Sequence, residues 1–493
     1  MSTETTPSAE GQATLRPNSI GLPGVLFQSI TTMAPASAVA FSLGAAIPYT
    51  GASLPLAVFI ALIVCALIAL NIGSLAKHLP SAGGYFTYVS RSLGTSTGWM
   101  TGWLFNLAYL LIVPLQLLVL GPVMDSFMKN LFHLSLGANG WAIWSVVFAI
   151  IVFFLTYAGI KVSADANVIL GAIEISIFTI LAIWLIVTSG SSNTGAVFTP
   201  AFSTQGGLGG WQGIFYGMTF VFLAFSGFES SATLAEESRN PRLVVPQAVL
   251  FSAVLIGIFY VFCSYAGVIG WGIQAITKTY GSDPNPWDTL AKKVWGPFDL
   301  IVIFAILNSA LANASSGVIA ASRVLFAMGR IGTLPTTLSH TNRFQAPDVA
   351  IILTMVVALI ATLIPGLLYG TVTGFAFIGT IITIPIVLVY IATCISVPFF
   401  YYREHRAEFN VLRHVIVPII PVLVLAAVIY SQVVPLLVPP YQAAPLSYAV
   451  PICIAWFVIG LIIVVLLRVR APRILALGNK VYGEGTEVAE VAD

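Results

Sequence analysis

Two carboxylic acids, Glu174 and Glu229, lie deep inside apolar segments of this 493-residue chain. Glu174 lies about twelve residues, or roughly 17 Å of helix, into its segment, and no basic residue is close to it in sequence. Ionisable groups are costly inside a bilayer, where they usually serve a function. Both acids are therefore candidates for binding a proton or a cation, and neither implies bond-breaking chemistry.

An intramembrane enzyme would need a reactive set of side chains. The chain has neither His-Glu-x-x-His nor paired aspartates in its apolar segments. Its five histidines lie in loops or at the ends of apolar runs, and its four cysteines lie in apolar runs without close pairing. We therefore expect no catalytic residues, no metal site, no cofactor and no disulfide framework.

Composition assigns the chain to a broad class. With 58% hydrophobic and only 8% charged residues, its apolar surface cannot be hidden inside a soluble globule. We predict an all-α polytopic membrane protein in contact with the lipid bilayer. The formal net charge of +2 gives no argument for a nucleic-acid partner.

Twelve apolar runs are long enough to cross the roughly 30 Å hydrocarbon core as helices. We predict them at 20–48, 54–76, 96–124, 141–160, 163–188, 211–237, 245–271, 297–326, 349–368, 374–400, 415–438 and 448–467. Lys and Arg in alternate connections number sixteen on the side shared by both termini and four on the other side. Because such residues are enriched in cytoplasmic loops, we expect both termini in the cytoplasm and the protein in the plasma (cytoplasmic) membrane.

Two of these runs are interrupted near the middle of the membrane. In the sixth run, Trp211 to Phe225 covers roughly 22 Å of helix, so Ser226-Gly227 falls inside the hydrocarbon core. Unpaired backbone N–H and C=O groups at that depth are tolerated only where protein, water or a ligand can hydrogen-bond to them. This break is therefore a candidate binding site. In the first run Pro35 removes an amide donor, which indicates either a plain kink or a second break. The two runs are five apart and point opposite ways, as expected for two inverted five-helix repeats around one site.

Three short motifs occur along the chain. They are Pro80-Ser81-Ala82-Gly83-Gly84-Tyr85 before Gly98-Trp99; Phe225-Ser226-Gly227-Phe228-Glu229 followed by Ala235-Glu236-Glu237 and Asn240-Pro241-Arg242; and Arg323 followed by Gly332-Thr333-Leu334-Pro335. In this order they resemble motifs of the amino acid-polyamine-organocation transporters. The resemblance implies the architecture of the sodium-coupled leucine transporter, with repeats at 20–189 and 211–400, two extra helices at 413–470, and cytoplasmic tails at 1–19 and 471–493.

The resemblance also implies that the two breaks bind a zwitterion. Amides that start the second half of run one form the positive end of a helix dipole, which suits a carboxylate, and carbonyls that end the first halves suit an ammonium group. Phe225 and Phe228 are expected as gate and pocket wall, although core packing is the alternative for each ring. The expected substrate-binding residues are Thr32, Met33, Ala36, Ser37, Ala38, Tyr109, Phe225, Ser226, Gly227 and Phe228.

Energy coupling is assigned to Glu174, because it aligns with a lysine of proton-coupled relatives. Burial disfavours the charged carboxylate, which suits a group that gains and loses a proton. The alternatives are a neutral acid hydrogen-bonded between helices, or a sodium ligand acting with Ser315 and Ser316 of run eight. Polar residues of this kind also commonly join helices to one another. Glu229 is either an ion ligand or a first-turn acid that satisfies a helix dipole.

We expect a secondary active transporter that imports an amino acid by proton-coupled symport through alternating access. Small residues at Ala34 to Ala38, and Ala108 where cation-preferring relatives often carry glutamate, leave room for a side chain and offer no acid for a second positive charge. A neutral amino acid is therefore favoured. The alternatives are a polyamine or cationic amino acid permease, an exchanger, a sodium-coupled symporter and a channel.

Overall fold

The structure is a computed structural model that describes residues 20–79, 84–159, 164–204, 207–235, 238–283, 285–330, 332–437 and 444–470. Within these ranges the chain is predominantly helical. Motif residues 80–83 and 236–237 and the predicted tails 1–19 and 471–493 lie outside the described residues.

Seventeen α-helices follow one another along the described chain, several of them joined by short 3-10 or π segments. They are α1 (Leu22–Met33), α2 (Pro35–Ser37), α3 (Leu43–Thr50), α4 (Leu54–His78), α5 (Tyr85–Leu93), α6 (Thr95–Phe132), α7 (Gly140–Tyr157), α8 (Ala164–Ser189), α9 (Trp211–Phe225), α10 (Pro241–Trp271), α11 (Ile276–Thr279), α12 (Pro286–Trp295), α13 (Leu300–Arg330), α14 (Asp348–Tyr369), α15 (Thr371–Glu404), α16 (Val417–Leu437) and α17 (Ala449–Arg470).

Eleven stretches of the described chain are long and apolar enough to cross a membrane, by length and composition. The first of them, Leu22–His78, is 57 residues long and contains the first two of the twelve predicted runs. One straight helix of that length would measure roughly 85 Å, far more than the roughly 30 Å hydrocarbon core. The stretch is divided at Ala34 and at Gly51–Ser53, where Ala34 and Gly51 have φ angles of 49° and 55°.

Both interruptions expected from the sequence are present. The chain leaves the helix at Ala34, one residue before Pro35, because proline disfavours helical backbone in the residue that precedes it. The second interruption follows α9, where residues 226–229 form turns before the 3-10 helix Ser230–Leu234. Gly227 has a φ of 116° there, a conformation that a residue with a side chain rarely adopts.

The interrupted helices lie near the centre of the molecule. α9 and the middle of α6 are almost entirely buried, whereas α7, α14, α16 and α17 expose many large apolar side chains. α4 packs along α10, and α6 packs against α13 and α15. The outer helices therefore present the apolar surface that a lipid environment requires, while the inner helices surround the two breaks.

Candidate functional site

The two helix breaks are in direct contact. A β-carbon added at Gly227 would lie 2.8 Å from the carbonyl carbon of Thr32 and 2.9 Å from its carbonyl oxygen. Only a residue without a side chain lets the two backbones approach this closely. The structure therefore brings together predicted residues that are 195 positions apart in sequence, Thr32 and Gly227.

One tyrosine of α10 hydrogen-bonds to both interrupted helices. The Tyr260 hydroxyl lies 2.9 Å from the carbonyl oxygen of Met33 and 3.0 Å from that of Ala224. Phe225 packs edge-on against the same tyrosine, with ring centroids 5.3 Å apart, and its side chain is fully buried. In each interrupted helix, the end of the first half is thus hydrogen-bonded to α10.

Hydroxyl groups join the rest of the two interrupted segments. Ser29 donates to the carbonyl oxygen of Phe228 at 2.7 Å and accepts from the amide of Ser231 at 3.0 Å. The Ser230 hydroxyl lies 3.1 Å from that of Thr32. Because backbone groups freed by a helix break must be satisfied inside a membrane, these serines help to make the irregular backbone tolerable.

α13 reaches the first break through an asparagine. The side-chain amide of Asn313 donates to the carbonyl oxygen of Thr32 at 2.7 Å, and its own Oδ1 is buried with no partner among the described residues. Ser315, in contrast, donates to Leu311 of its own helix at 2.9 Å, and both Ser315 and Ser316 are partly exposed. The hydrogen bond between α13 and the break thus comes from Asn313.

The remaining predicted contacts at the breaks lie in buried positions. Ser37 donates to the side-chain oxygen of Gln116 on α6 at 3.0 Å. Ala36 and Ala38 are buried beside it, at the start of the second half of the first interrupted helix. The Ser226 hydroxyl is buried and lacks a hydrogen-bond partner in the part of the chain that the structure describes.

Glu229 is held by three donors at the centre of the molecule. Its Oε2 accepts from the amide of Gly227 at 3.0 Å and from the Tyr390 hydroxyl at 3.1 Å, and its Oε1 accepts from the Tyr109 hydroxyl at 3.3 Å. The Tyr390 ring also lies 5.6 Å from that of Phe228. Glu229 thus ties the second break to α6 and α15, and it precedes only a five-residue 3-10 helix.

Glu174 lies apart from this cluster, between α8 and α13. Its carboxylate oxygens are 3.2 Å from the Asn308 side-chain amide and 3.4 Å from the Ser309 hydroxyl. The residue is 3% exposed, and neither of these partners carries a charge. A carboxylate in such surroundings has no opposite charge among these partners to compensate it.

Three polar residues that contact the breaks or Glu229 were not expected from the sequence: Tyr260, Tyr390 and Gln116. Each is one polar residue within a long apolar run, a pattern that does not indicate which way the side chain points. Each is joined to its partner only by the packing of helices that are distant in sequence. A buried tyrosine hydroxyl generally finds a partner, which is the one signal that would have drawn attention to the two tyrosines.

The chain is similar to known proteins. The family model described as "Amino acid permease" matches residues 24–473. Amino-acid permease RocE of Bacillus subtilis is 26% identical over 310 residues, which are 60% of this chain and 62% of that protein. Branched-chain amino acid permease BcaP of Lactococcus lactis is 25% identical over 368 residues, 68% of this chain and 71% of that protein. Low-affinity putrescine importer PlaP of Escherichia coli is 24% identical over 321 residues, 63% of this chain and 67% of that protein.

These matches decide the family. The match to RocE extends over only about three fifths of that relative's length, 62%, whereas the family model spans nearly the whole of the described chain. The matched residues 24–473 include both helix breaks, the buried acids and all of α2 to α17. The family consists of permeases, so the expectation that this protein is not an enzyme is confirmed. The chain is a member of the amino acid permease family and an integral membrane protein.

Proposed function

We propose that this protein is a secondary transporter that imports a neutral amino acid by proton-coupled symport through alternating access. The observation that carries the proposal is the pair of interrupted helices meeting at Thr32 and Gly227, in a membrane protein of the amino acid permease family. Interrupted helices that meet near the bilayer midplane provide the backbone groups with which many transporters hold a charged substrate.

The two ends of an amino acid match the two kinds of helix end at the breaks. Amides in the first turn of a helix generally lack intrahelical acceptors, so those of Ala36 and Ser37 suit the substrate carboxylate, whereas the amide of Ala38 already donates to the carbonyl oxygen of Ala34 at 2.8 Å. A carbonyl oxygen has two lone pairs. Thr32 and Met33 each accept one hydrogen bond from a protein side chain, which leaves a second lone pair on each oxygen for the substrate ammonium group.

A neutral side chain is favoured because the nearest acid is already engaged by three hydrogen-bond donors. Glu229 accepts hydrogen bonds from Gly227, Tyr109 and Tyr390, so a second substrate ammonium group would compete with these donors for its oxygens. The relatives include a branched-chain amino acid permease and a putrescine importer. The arrangement around Glu229 supports a substrate of the first kind, and a cationic amino acid or polyamine is the competing class.

Twelve crossings are the topology that best fits this function. We infer that Leu22–His78 crosses twice, with the turn at Gly51–Ser53 between the crossings, because its 57 residues far exceed one membrane thickness. The first ten crossings then form two inverted repeats, at 20–189 and 211–400, with two additional helices at 413–470. The bias of Lys and Arg supports cytoplasmic termini in the plasma membrane.

Glu174 is the proposed proton carrier. Its two neutral partners, Asn308 and Ser309, leave the buried anion without a compensating charge, whereas the protonated acid fits the same surroundings at lower cost. Loss of the proton would then favour a different packing of α8 against α13. Sodium binding by Ser315 and Ser316 is the competing mechanism, and the orientation of the Ser315 hydroxyl toward Leu311 gives it less support.

The test combines binding with transport by the purified protein. Neutral amino acids, dibasic amino acids and putrescine are compared by thermal shift, since a ligand that binds only the folded protein raises its apparent stability. Uptake of the ligand that stabilises the protein is then measured in proteoliposomes with an imposed proton or sodium gradient. We expect a neutral amino acid to be concentrated by an inward proton gradient without sodium. Stabilisation by diamines or arginine alone would overturn the substrate class, and sodium-dependent uptake or pure exchange would overturn the coupling.

A further inference from the structure

Two histidines and a glutamate from distant parts of the chain meet outside the site described above. His78 is the last residue of α4, and His405 and Glu408 follow α15. The backbone amide of Glu408 donates to the carbonyl of His405 at 2.9 Å, so this short turn brings both side chains to one side. One potential metal-ligating atom of each residue lies within 4.8 Å of those of the other two.

His78 is oriented toward this cluster. Its imidazole ring lies 4.0 Å from that of His405, measured between centroids. Its Nε2 is 3.5 Å from the nearer carboxylate oxygen of Glu408. That nitrogen is buried and has no hydrogen-bond partner among the described residues, although a buried imidazole nitrogen normally finds one.

We propose that His78, His405 and Glu408 form a binding site for Zn²⁺ or a similar transition-metal dication. Two imidazoles and one carboxylate are a ligand set that zinc accepts with a fourth position open to water. Zinc bonds to nitrogen and oxygen are about 2.0–2.2 Å long, so two ligand atoms of a tetrahedral site lie roughly 3.3–3.5 Å apart. The observed separations, of 3.5 Å for one pair and at most 4.8 Å for the others, need only small side-chain movements.

Lys77 is the group that competes with the metal. Its ammonium lies 3.2 Å from Glu408, and the two side chains are 54% and 47% exposed. Because Lys77 is so exposed, it can turn into solvent when a dication takes its position.

A bound metal would join the end of α4 to the connection between α15 and α16. These segments are separated by more than three hundred residues and are also linked here by the Lys77–Glu408 ion pair. Replacing an exposed ion pair by three coordination bonds would restrict their relative movement. The site would therefore act as a metal-dependent brace at one end of the helix bundle. No metal site is expected from the sequence, so a site here departs from that expectation.

The test is calorimetric titration of the full-length, tag-free protein in detergent with Zn²⁺. We expect one saturable site, and a dissociation constant raised at least about tenfold in each of His78→Gln, His405→Gln and Glu408→Gln, since even the loss of an outer-shell partner can cost that much. Lys77→Ala should bind zinc more tightly than the unmodified protein, because it removes the competing cation. His340→Gln is the matched control, since His340 also pairs with a carboxylate, that of Asp348 at 2.7 Å, but does not belong to the three-residue cluster.

Visible spectra with Co²⁺ in place of zinc, recorded on folded protein, provide a second measurement that reports the coordination of the metal directly. The intense absorption of four-coordinate cobalt should appear in the unmodified protein and in His340→Gln, and it should be absent from folded Glu408→Gln. Zinc affinity unchanged in the three ligand variants, or reduced equally in His340→Gln, would overturn the proposal. Weaker binding in Lys77→Ala would also contradict it.

Discussion

At the scale of residues, the two buried acids differ in how well their surroundings stabilise an anion. Glu229 accepts from two tyrosine hydroxyls and a backbone amide, at distances from 3.0 to 3.3 Å. Glu174 accepts from two neutral side chains at 3.2 and 3.4 Å. Because hydrogen bonds to a carboxylate favour its charged form, the anion of Glu174 is the less compensated of the two, which supports Glu174 as the proposed proton carrier.

The first prediction concerns Glu174→Gln. The amide is nearly the same size and always neutral, so it mimics the protonated acid and cannot release a proton. We expect accumulation driven by a proton gradient to fall to the equilibrium level in proteoliposomes, while exchange of substrate at zero gradient continues. Glu404→Gln, which changes a carboxylate paired with Arg91 at 2.9 Å, serves as the control and should still accumulate substrate. A Glu174→Gln protein that concentrates substrate with a pH gradient would rule out this role.

The second prediction separates gating from packing at Phe225. Phe225 and Phe222 are both fully buried on α9, so truncating either to alanine should cost about 3–5 kcal/mol of stability. Only Phe225 adjoins the break and packs against Tyr260. We therefore expect Phe225→Ala to weaken substrate binding more than Phe222→Ala does, at similar levels of folded protein. Equal substrate affinities in the two variants, measured by thermal shift, would reduce Phe225 to a packing residue.

At the scale of elements, the helix breaks are stabilised by neighbours that stay intact. α10 contributes Tyr260 and α13 contributes Asn313, and each donates to a carbonyl that the interrupted helix no longer uses. Unsatisfied carbonyls cost free energy inside a membrane, so the breaks depend on these donors. The irregular backbone at the proposed site is therefore a property of four helices together.

The third prediction tests the contact between the two breaks. Gly227→Ala would bring a methyl group within 2.9 Å of the Thr32 carbonyl and would force alanine to a φ of 116°. Backbone strain of this kind costs on the order of 1–3 kcal/mol. We expect a lower melting temperature and loss of uptake in proteoliposomes. Gly102→Ala in α6 is the control, because its new methyl would meet only side chains, at 3.4 Å or more, and uptake should persist. Normal uptake by Gly227→Ala would show that close approach of the breaks is dispensable.

At the scale of the whole molecule, the buried and exposed faces of the helices define an inside and a lipid-facing outside. The fourth prediction tests how the loops are distributed across the membrane. All four native cysteines are buried: Cys65, Cys263, Cys394 and Cys453. We therefore expect a thiol reagent to label a cysteine introduced at an exposed loop position and to leave the native cysteines unlabelled. Ser135, between α6 and α7, and Thr337, between α13 and α14, are exposed and are proposed to lie on opposite sides of the membrane.

We expect a membrane-impermeant maleimide to label Ser135→Cys in intact cells and to label Thr337→Cys only after the cells are permeabilised. Labelling of both without permeabilisation would contradict the proposed topology. The reverse pattern would place the termini outside the cytoplasm and would exclude the orientation that the Lys and Arg bias favours.

The sequence alone determined the class, the family and the break after Phe225, and it placed a kink or a second break at Pro35. Long apolar runs with few charges can only be membrane helices, and proline at position 35 and glycine at position 227 disturb helical backbone wherever the helices pack. The motif from Phe225 to Glu229 was sufficient to indicate the permease family because its residues are adjacent in the chain. All of these features are local, so periodicity and composition reveal them.

Tertiary structure decided which groups meet. Nothing in the sequence indicates that Tyr260 binds carbonyls from two other helices, that Tyr109 and Tyr390 share Glu229, or that His78 lies beside His405. A helix that is apolar all round gives no signal of the direction in which a single polar side chain points. That direction is fixed only when the helices pack, because the free energy of each rotation depends on the partners available from distant parts of the chain.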